Sequence, residues 1–273
     1  MTSNSSYSWS NFGSFSIQLF KFLGLKNVGN YVLKFMPEFI QKKIAELQAQ
    51  NYLETHGTDA AIILSVDALK AKQQEALLYL IGELGADNIG DYLEFGVFSG
   101  TSLSCMFKVV KDLNLAPVRL FGFDSFEGMP DIAAVEDEGA WYPGQFKFSI
   151  EFTKGILTRR GIDWNRVFLT KGWFCDTLKP ELRDRYSIKK ASVIMVDCDL
   201  YSSTVEVLKF CEPLIQDQAI LFFDDWNSYS LAEKDLGEKK AFDEFLQVNP
   251  QFTVKDFGRY EGHTACFIIS RNH

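Results

Sequence analysis

Apolar and polar positions change rhythm along the chain. Between Phe20 and Leu47, the residues Phe20, Leu23, Val28, Val32, Phe35, Phe39, Ile44 and Leu47 fall near helical spacing, which predicts amphipathic helices. From about residue 70 the order becomes helix, short apolar run, loop, repeated. A helical stretch over 73–84 precedes DYLEF, and a helix through Val110 precedes VRLFGFD (118–124). The next apolar runs are RVFLT (166–170), SVIMVD (192–197) and AILFFDD (219–225), separated by segments long enough for crossover helices. This alternation predicts an α/β fold with five parallel strands. Two last runs, FTVKDFG (252–258) and TACFIIS (264–270), are joined by a short loop containing Gly262 and predict a C-terminal antiparallel hairpin. The simplest partition is an N-terminal helical extension, 1–60, serving packing or self-association into a homo-oligomer, and one α/β domain over 61–273.

Composition narrows the class. A chain of 273 residues with 47% hydrophobic and 15% aromatic residues can bury one sizeable core. Its net charge of -8, without a cluster of Lys and Arg, argues against nucleic acid as a partner. Five scattered cysteines (Cys105, Cys175, Cys198, Cys211, Cys266) form no Cys-x-x-Cys pair, so they read as reduced packing residues of a cytoplasmic protein. Lys21 interrupts the apolar segment FSIQLFKFLGL and Lys26 follows it, so neither a signal peptide nor a membrane span is expected. A membrane-surface helix there would have a thin basic face, and packing is the better reading.

Three groups of residues carry chemistry. The first is EFGVFSGTS, Glu94 to Ser102, at a strand-to-helix turn. Gly96 and Gly100 allow a ligand close to the backbone, and the following helix start, with Ser99, Thr101 and Ser102, presents free N–H donors. Phe98 stands where a dinucleotide loop wants its second glycine, and Glu94 favours a ligand with a cationic amino group. A plain tight turn explains the glycines equally well. The second is GFDSFEGMP (122–130). Asp124 ends the next strand about 30 residues after Glu94, where an acid can accept ribose hydroxyls, although a lone Asp there would also serve as a helix cap. In the third, VDCDLYSST (196–204) and FFDDW (222–226) place Asp197, Asp199, Asp224 and Asp225 at the ends of neighbouring strands. Four converging carboxylates repel one another unless a cation neutralises them, and an all-oxygen set suits magnesium, manganese or calcium rather than zinc. Caps and turns would explain either pair alone. His56, His263 and His273 lie outside these motifs, so a histidine base has no support.

Together EFGVFSGTSL, GFDSFEGMP, KGWFCDTL, VDCDLYSST and FFDDW, in this order, resemble the macrocin O-methyltransferase family over about residues 70–270. Members methylate sugar hydroxyls on macrolide and aminocoumarin antibiotics. The resemblance implies a class I methyltransferase (Rossmann-like) doubly wound sheet with helices on both faces. It also implies S-adenosylmethionine as methyl donor, a divalent metal, usually magnesium, and a glycoside or sugar as small-molecule acceptor. Carried onto this chain, Glu94, Gly96, Ser99, Gly100, Thr101 and Ser102 would contact the methionine half of the donor. Asp124, Ser125 and Phe126 would take the ribose, and Gly172, Trp173 and Phe174 the adenine. Asp197, Asp224 and Asp225 match the metal ligands, and Asp199 the general base. Residues 131–153, acidic and then aromatic with Trp141, Tyr142, Phe146 and Phe148, read as an active-site lid; a solvated insertion anchored by its aromatics fits almost as well. Two rivals differ in class. A nicotinamide-dependent oxidoreductase leaves the four aspartates unexplained, and a noncatalytic scaffold keeping the cofactor pocket has no need to retain them.

Overall fold

A computed structural model describes residues 66–272 together with Pro37, Ile40, Lys43 and Leu47. The chain divides into two units, Met1–Gly57 and Thr58–His273. Ile40, Lys43 and Leu47 are helical, and the remainder of the expected N-terminal helices lies outside the described residues. Among the described residues no helix is long and apolar enough to cross a membrane.

The second unit runs α1 (Val66–Leu84), β1 (Asp91–Phe95), α2 (Thr101–Asp112), β2 (Leu120–Asp124), α3 (Ile150–Arg159), β3 (Val167–Lys171), α4 (Phe174–Thr177) and α5 (Pro180–Tyr186). It continues with β4 (Ala191–Val196), α6 (Tyr201–Cys211), β5 (Gln218–Phe223), α7 (Gly237–Val248), β6 (Phe252–Asp256) and β7 (Ala265–Arg271). The strands form one sheet in the order β3-β2-β1-β4-β5-β7-β6. The first five are parallel, and β7 pairs antiparallel with both β5 and β6, as the terminal hairpin predicts.

Parallel strands covered on both faces call for largely apolar runs: β4 and β5 supply them apart from Ser192 and Gln218, whereas β1 carries Asp91 and Glu94 among its buried residues. Alternate residues then sort to opposite layers. Tyr92, Val193, Met195, Ile220 and Phe222 join the layer beneath α1 and α2, whereas Leu93, Phe95, Ile194, Val196, Leu221 and Phe223 join the layer beneath α5, α6 and α7. The second layer is strongly aromatic. Phe95 stacks on Phe123 at 4.9 Å and meets the edges of Phe174 at 5.9 Å and Phe210 at 6.1 Å. Phe174 starts α4, so this contact ties a loop above the sheet to the core.

After β1 the chain winds to β2 on one side, and β4 pairs on the other, so strand order reverses between β1 and β4. A cleft opens at the carboxyl ends of the strands at such a reversal. Phe95→Ala should therefore lower stability by about 3–5 kcal/mol through the cavity it leaves and loosen the Phe174 loop. Urea unfolding read by circular dichroism, with cysteine labelling at Cys175 as a local probe, checks both effects.

Candidate functional site

Each strand end extends its ladder by one residue, and those residues meet in the cleft. Gly96 N–H donates to Phe123 O, Asp197 N–H to Phe95 O at 2.9 Å, and Asp224 N–H to Val196 O at 3.0 Å. The packing of the two central turns is close enough to dictate residue type. A Cβ on Gly96 would lie 1.6 Å from the Asp197 carbonyl oxygen, and its φ of +91° is one that a side chain disfavours. At the other end of this turn Gly100, φ +77°, caps α2 against Leu157.

Asp124 organises the turn. Its Oδ2 accepts Val97 N–H at 2.7 Å and Phe98 N–H at 2.9 Å, and its Oδ1 accepts Phe126 N–H at 2.6 Å. These three bonds fill most of the roughly four acceptor positions of a carboxylate. Burial pushes the Asp124 pKa up, against the pull of the backbone donors.

A cavity of about 850 Å³ lies over these ends. Of the residues expected at the site, Gly96, Asp124, Ser125, Trp173 and Phe174 line one part of it. Asp197, Asp199, Asp224 and Asp225 line another. Glu94, Ser99, Gly100, Thr101, Ser102, Phe126 and Gly172 are not among its walls. Glu94 shows why: it shares the layer of Tyr92, one residue out of phase with Phe95, and its side chain turns under α2. There Oε2 accepts the Tyr92 hydroxyl at 2.6 Å and the Ser102 hydroxyl at 2.7 Å, while Oε1 is buried without a partner. Ser99 and Thr101 share a hydrogen bond between their hydroxyls in the same buried layer.

The acids form the other half of the site. Ligand oxygens of Asp197, Asp224 and Asp225 lie within 4.8 Å of one another. Burial and then the charges of Asp224 and Asp225 push Asp197 well above the usual carboxylate range. Asp224 is pushed up to about 7 by burial and by Asp225. Burial and then the charges of Asp225 and Asp197 also raise Asp199 well above the usual carboxylate range, and burial raises Asp225. Asp199 adopts φ +65°, a left-handed conformation uncommon for a residue with a side chain. Such a cluster fits a hard dication by its chemistry: three oxygen donors at short separation, on buried Asp224 and Asp225 and half-buried Asp197, raised in pKa chiefly by burial, with no sulfur or imidazole ligand among them.

Residues 25–250 match the family described as macrocin-O-methyltransferase (TylF). The chain belongs to the macrocin O-methyltransferase family. Among curated relatives of this macrocin O-methyltransferase family member, 8-demethyl-8-(2,3-dimethoxy-alpha-L-rhamnosyl)-tetracenomycin-C 4'-O-methyltransferase of Streptomyces olivaceus is 30% identical over 57% of this chain and 60% of its own. Mycinamicin III 3''-O-methyltransferase of Micromonospora griseorubida is 24% identical over 50% of this chain and 55% of its own. The chain thus spans about three fifths of the length of the curated relatives it matches. Among solved structures, the O-methyltransferase NovP superposes with a TM-score of 0.60 at 20% identity, covering 76% of this chain and 80% of NovP. CalS11, a calicheamicin methyltransferase, gives 0.58 at 20% identity over 86% and 93%. At this identity both show the class I methyltransferase fold.

Several site residues of this macrocin O-methyltransferase family member escape sequence reading. Ser202, Ser203 and Glu206 line the cavity from the first turns of α6. Helical spacing counted from Asp199 could have found them. The Tyr260 hydroxyl, from the loop between β6 and β7, donates to Asp224 Oδ1. Glu238, fully buried at the start of α7, accepts Asp225 N–H at 3.1 Å. No local signal marks either one. His263 lies outside the motifs in sequence, yet the fold brings it to a smaller recess bordered by Asp225 and Trp141.

Burial raises the Glu94 pKa from 4.5 to about 8. The unfolded chain then ionises at lower pH than the folded one, so stability falls as pH rises from about 4.5 to about 8. Glu94→Gln removes that dependence. Thermal unfolding between pH 5 and 8 should show the variant gaining on the parent by on the order of a few kcal/mol; a constant difference would mean Glu94 ionises normally in the fold.

Proposed function

We propose that the chain transfers a methyl group from S-adenosylmethionine to a hydroxyl of a sugar or related diol-bearing small molecule, with a divalent cation held by Asp197, Asp224 and Asp225. The observation that carries this reading is the convergence of those three carboxylates, beside Asp199, in the same cleft as the Gly96 turn. Family membership supports it, as do the printed activities of the relatives from Streptomyces olivaceus and Micromonospora griseorubida, both sugar-directed or antibiotic O-methyltransferases by name. An O-methyltransferase from Bacillus cereus, solved in complex with SAH, shares the fold with a TM-score of 0.50. Five free cysteines, four of them buried, accord with a cytoplasmic setting.

The chain's own residues divide the work. The Gly96 turn brings bare backbone to the donor's methionine half, and Asp124 holds that turn rigid while keeping about one acceptor position for a ribose hydroxyl. Trp173 and Phe174 offer apolar faces for a flat ring. Glu94, turned under α2, supports the turn from behind through Ser102 rather than from within the cavity.

Asp199 is the proton acceptor. A sugar hydroxyl is a far weaker acid than a carboxylic acid, so the base needs help from its surroundings. When bound, the dication supplies charge compensation and polarisation of the acceptor oxygens, and the donor supplies an electrophilic methyl on a sulfonium. Tyr260 fixes one oxygen of Asp224, and Ser228 donates to Asp225 Oδ1 at 2.7 Å, so each carboxylate keeps a defined face toward the cleft. Met129 to Ile132 and Gly144 to Phe146 wall the cavity and limit water around the reacting centres.

Labelled S-adenosylmethionine offered with a panel of glycosides, with and without magnesium, tests the assignment. Asp224→Asn should lower turnover on the order of a thousandfold and weaken manganese binding measured by paramagnetic resonance, with donor affinity unchanged in calorimetry. Full turnover in the variant would remove the cation from the reaction.

A further inference from the structure

Helices α6 and α7 both begin without a cap of their own. Their N-cap residues are Leu200 and Leu236, neither of which can offer a side-chain oxygen. The missing acceptors come from far upstream, from the acidic run Glu136-Asp137-Glu138. Asp137 Oδ2 accepts Tyr201 N–H at 2.9 Å, and its Oδ1 accepts Gly237 N–H at 2.9 Å. Glu136 accepts Ser202 N–H at 2.7 Å and the Ser202 hydroxyl at 2.8 Å. Lys234 pairs with Glu138 at 2.8 Å. One buried carboxylate therefore bridges the starts of two helices, and its neighbours brace it.

Two further observations set this arrangement apart from ordinary capping. Asp137 and Glu138 are consecutive non-glycine residues in left-handed conformations, φ/ψ of 50°/42° and 59°/23°. Backbone of that kind persists where the surroundings over-determine it. The same segment also carries its own apolar plug. Ala133 and Trp141 pack with Leu200 and Leu231, and Met129, Ala140 and Leu236 adjoin them. The plug thus sits on the two N-cap leucines themselves.

Each capped helix start adjoins an acid of the site. Tyr201 comes two residues after Asp199, and Gly237 precedes Glu238, whose carboxylate holds the Asp225 N–H. On either side of the plug, Ile132 and Phe146 line the large cavity.

We propose that Asp137 is a positioning residue: it clamps the 131–148 segment over the acceptor side of the cavity and, through the same two bonds, fixes the backbone that places Asp199 and Asp225. The proposal rests on the methyl-transfer reading for its catalytic half and on geometry alone for the clamp. Both halves share one carboxylate, so closing the cover and setting the acids are a single event. An acceptor that disturbs the segment then disturbs the base, which makes the cover a filter for the acceptor as well as a shield from water.

Hydrogen exchange of the full chain, followed by mass spectrometry over peptides containing Tyr201 and Gly237, tests the clamp. Asp137→Ala should speed exchange at both helix starts on the order of five- to tenfold. Asp137→Asn, with one acceptor oxygen left, should release one start more than the other, and Glu136→Ala should act at Ser202 alone. In the methyl-transfer assay Asp137→Ala should cut kcat about ten- to a hundredfold with the KM for S-adenosylmethionine unchanged, and Asp137→Asn should restore part of it. Unchanged exchange at both helix starts overturns the clamp. Faster exchange with an unchanged kcat overturns the positioning role. If the parent chain methylates no acceptor, the functional reading fails separately, and exchange at Tyr201 and Gly237 still upholds or overturns the clamp.

Discussion

The cost of removing negative charge from water at the ends of β4 and β5 governs this site. Asp197 and Asp224 are held there by ladder hydrogen bonds to Phe95 and Val196, so they cannot drift apart to relieve their repulsion. Asp225 follows directly, and its own N–H is tied to Glu238. A cluster fixed by backbone must be balanced by something other than movement. Burial, together with mutual repulsion at Asp197, Asp199 and Asp224, raises the pKa values of these carboxylates and so disfavours their charged forms. On the proposed reading, a hard dication held by Asp197, Asp224 and Asp225 would offset this charge and leave Asp199 ionised, able to accept a proton. The same constraint would therefore account for both the metal ligands and the base of the proposed reaction.

The other half of the cleft follows from the reversal of strand order between β1 and β4. There the turn after β1 passes so close to Asp197 that only glycine fits at position 96. Asp124 then draws the turn toward β2 with two backbone bonds, from Val97 and Phe98, and secures its own loop with a third, from Phe126. Phe174, packed on Phe95, sets one wall of the cavity from below. Backbone shapes the Gly96 side of the cleft and side-chain charge the acid side, and the carboxyl edge of the sheet presents both.

The strands were legible because buried parallel strands need unbroken apolar runs, and their carboxyl ends were legible because acids or glycines interrupt those runs. Asp197, Asp199, Asp224, Asp225, Gly96 and Asp124 could all be placed at the cleft on that basis. The direction of Glu94 was not legible. A strand buried on both faces gives no polar alternation from which to choose its layer, and only the partnership with Tyr92 and Ser102 reveals that it faces α2. Tyr260, Glu238 and His263 were hidden for another reason. They reach the acids through tertiary contacts, Tyr260 across 36 residues of chain, and residue type alone does not report such a meeting. Glu136 and Asp137 were read as part of an acidic segment of a lid, whereas their partners, the uncapped starts of α6 and α7, lie 64 and 100 residues away for Asp137.

A cover held by caps and a small apolar plug differs in kind from one grown out of the main core. The plug of Ala133, Trp141, Leu200 and Leu231 is separate from both layers of the sheet. Side chains on the cavity side of the segment, such as Ile132, Gln145 and Phe146, can therefore change without repacking the strands that hold the acids. Backbone places the acids, whereas the wall formed by this segment is fixed by the caps from Asp137 and Glu136 and by its own small plug. On the proposed function, that separation would let one sheet serve the transfer chemistry beneath a surface whose shape selects the methyl acceptor.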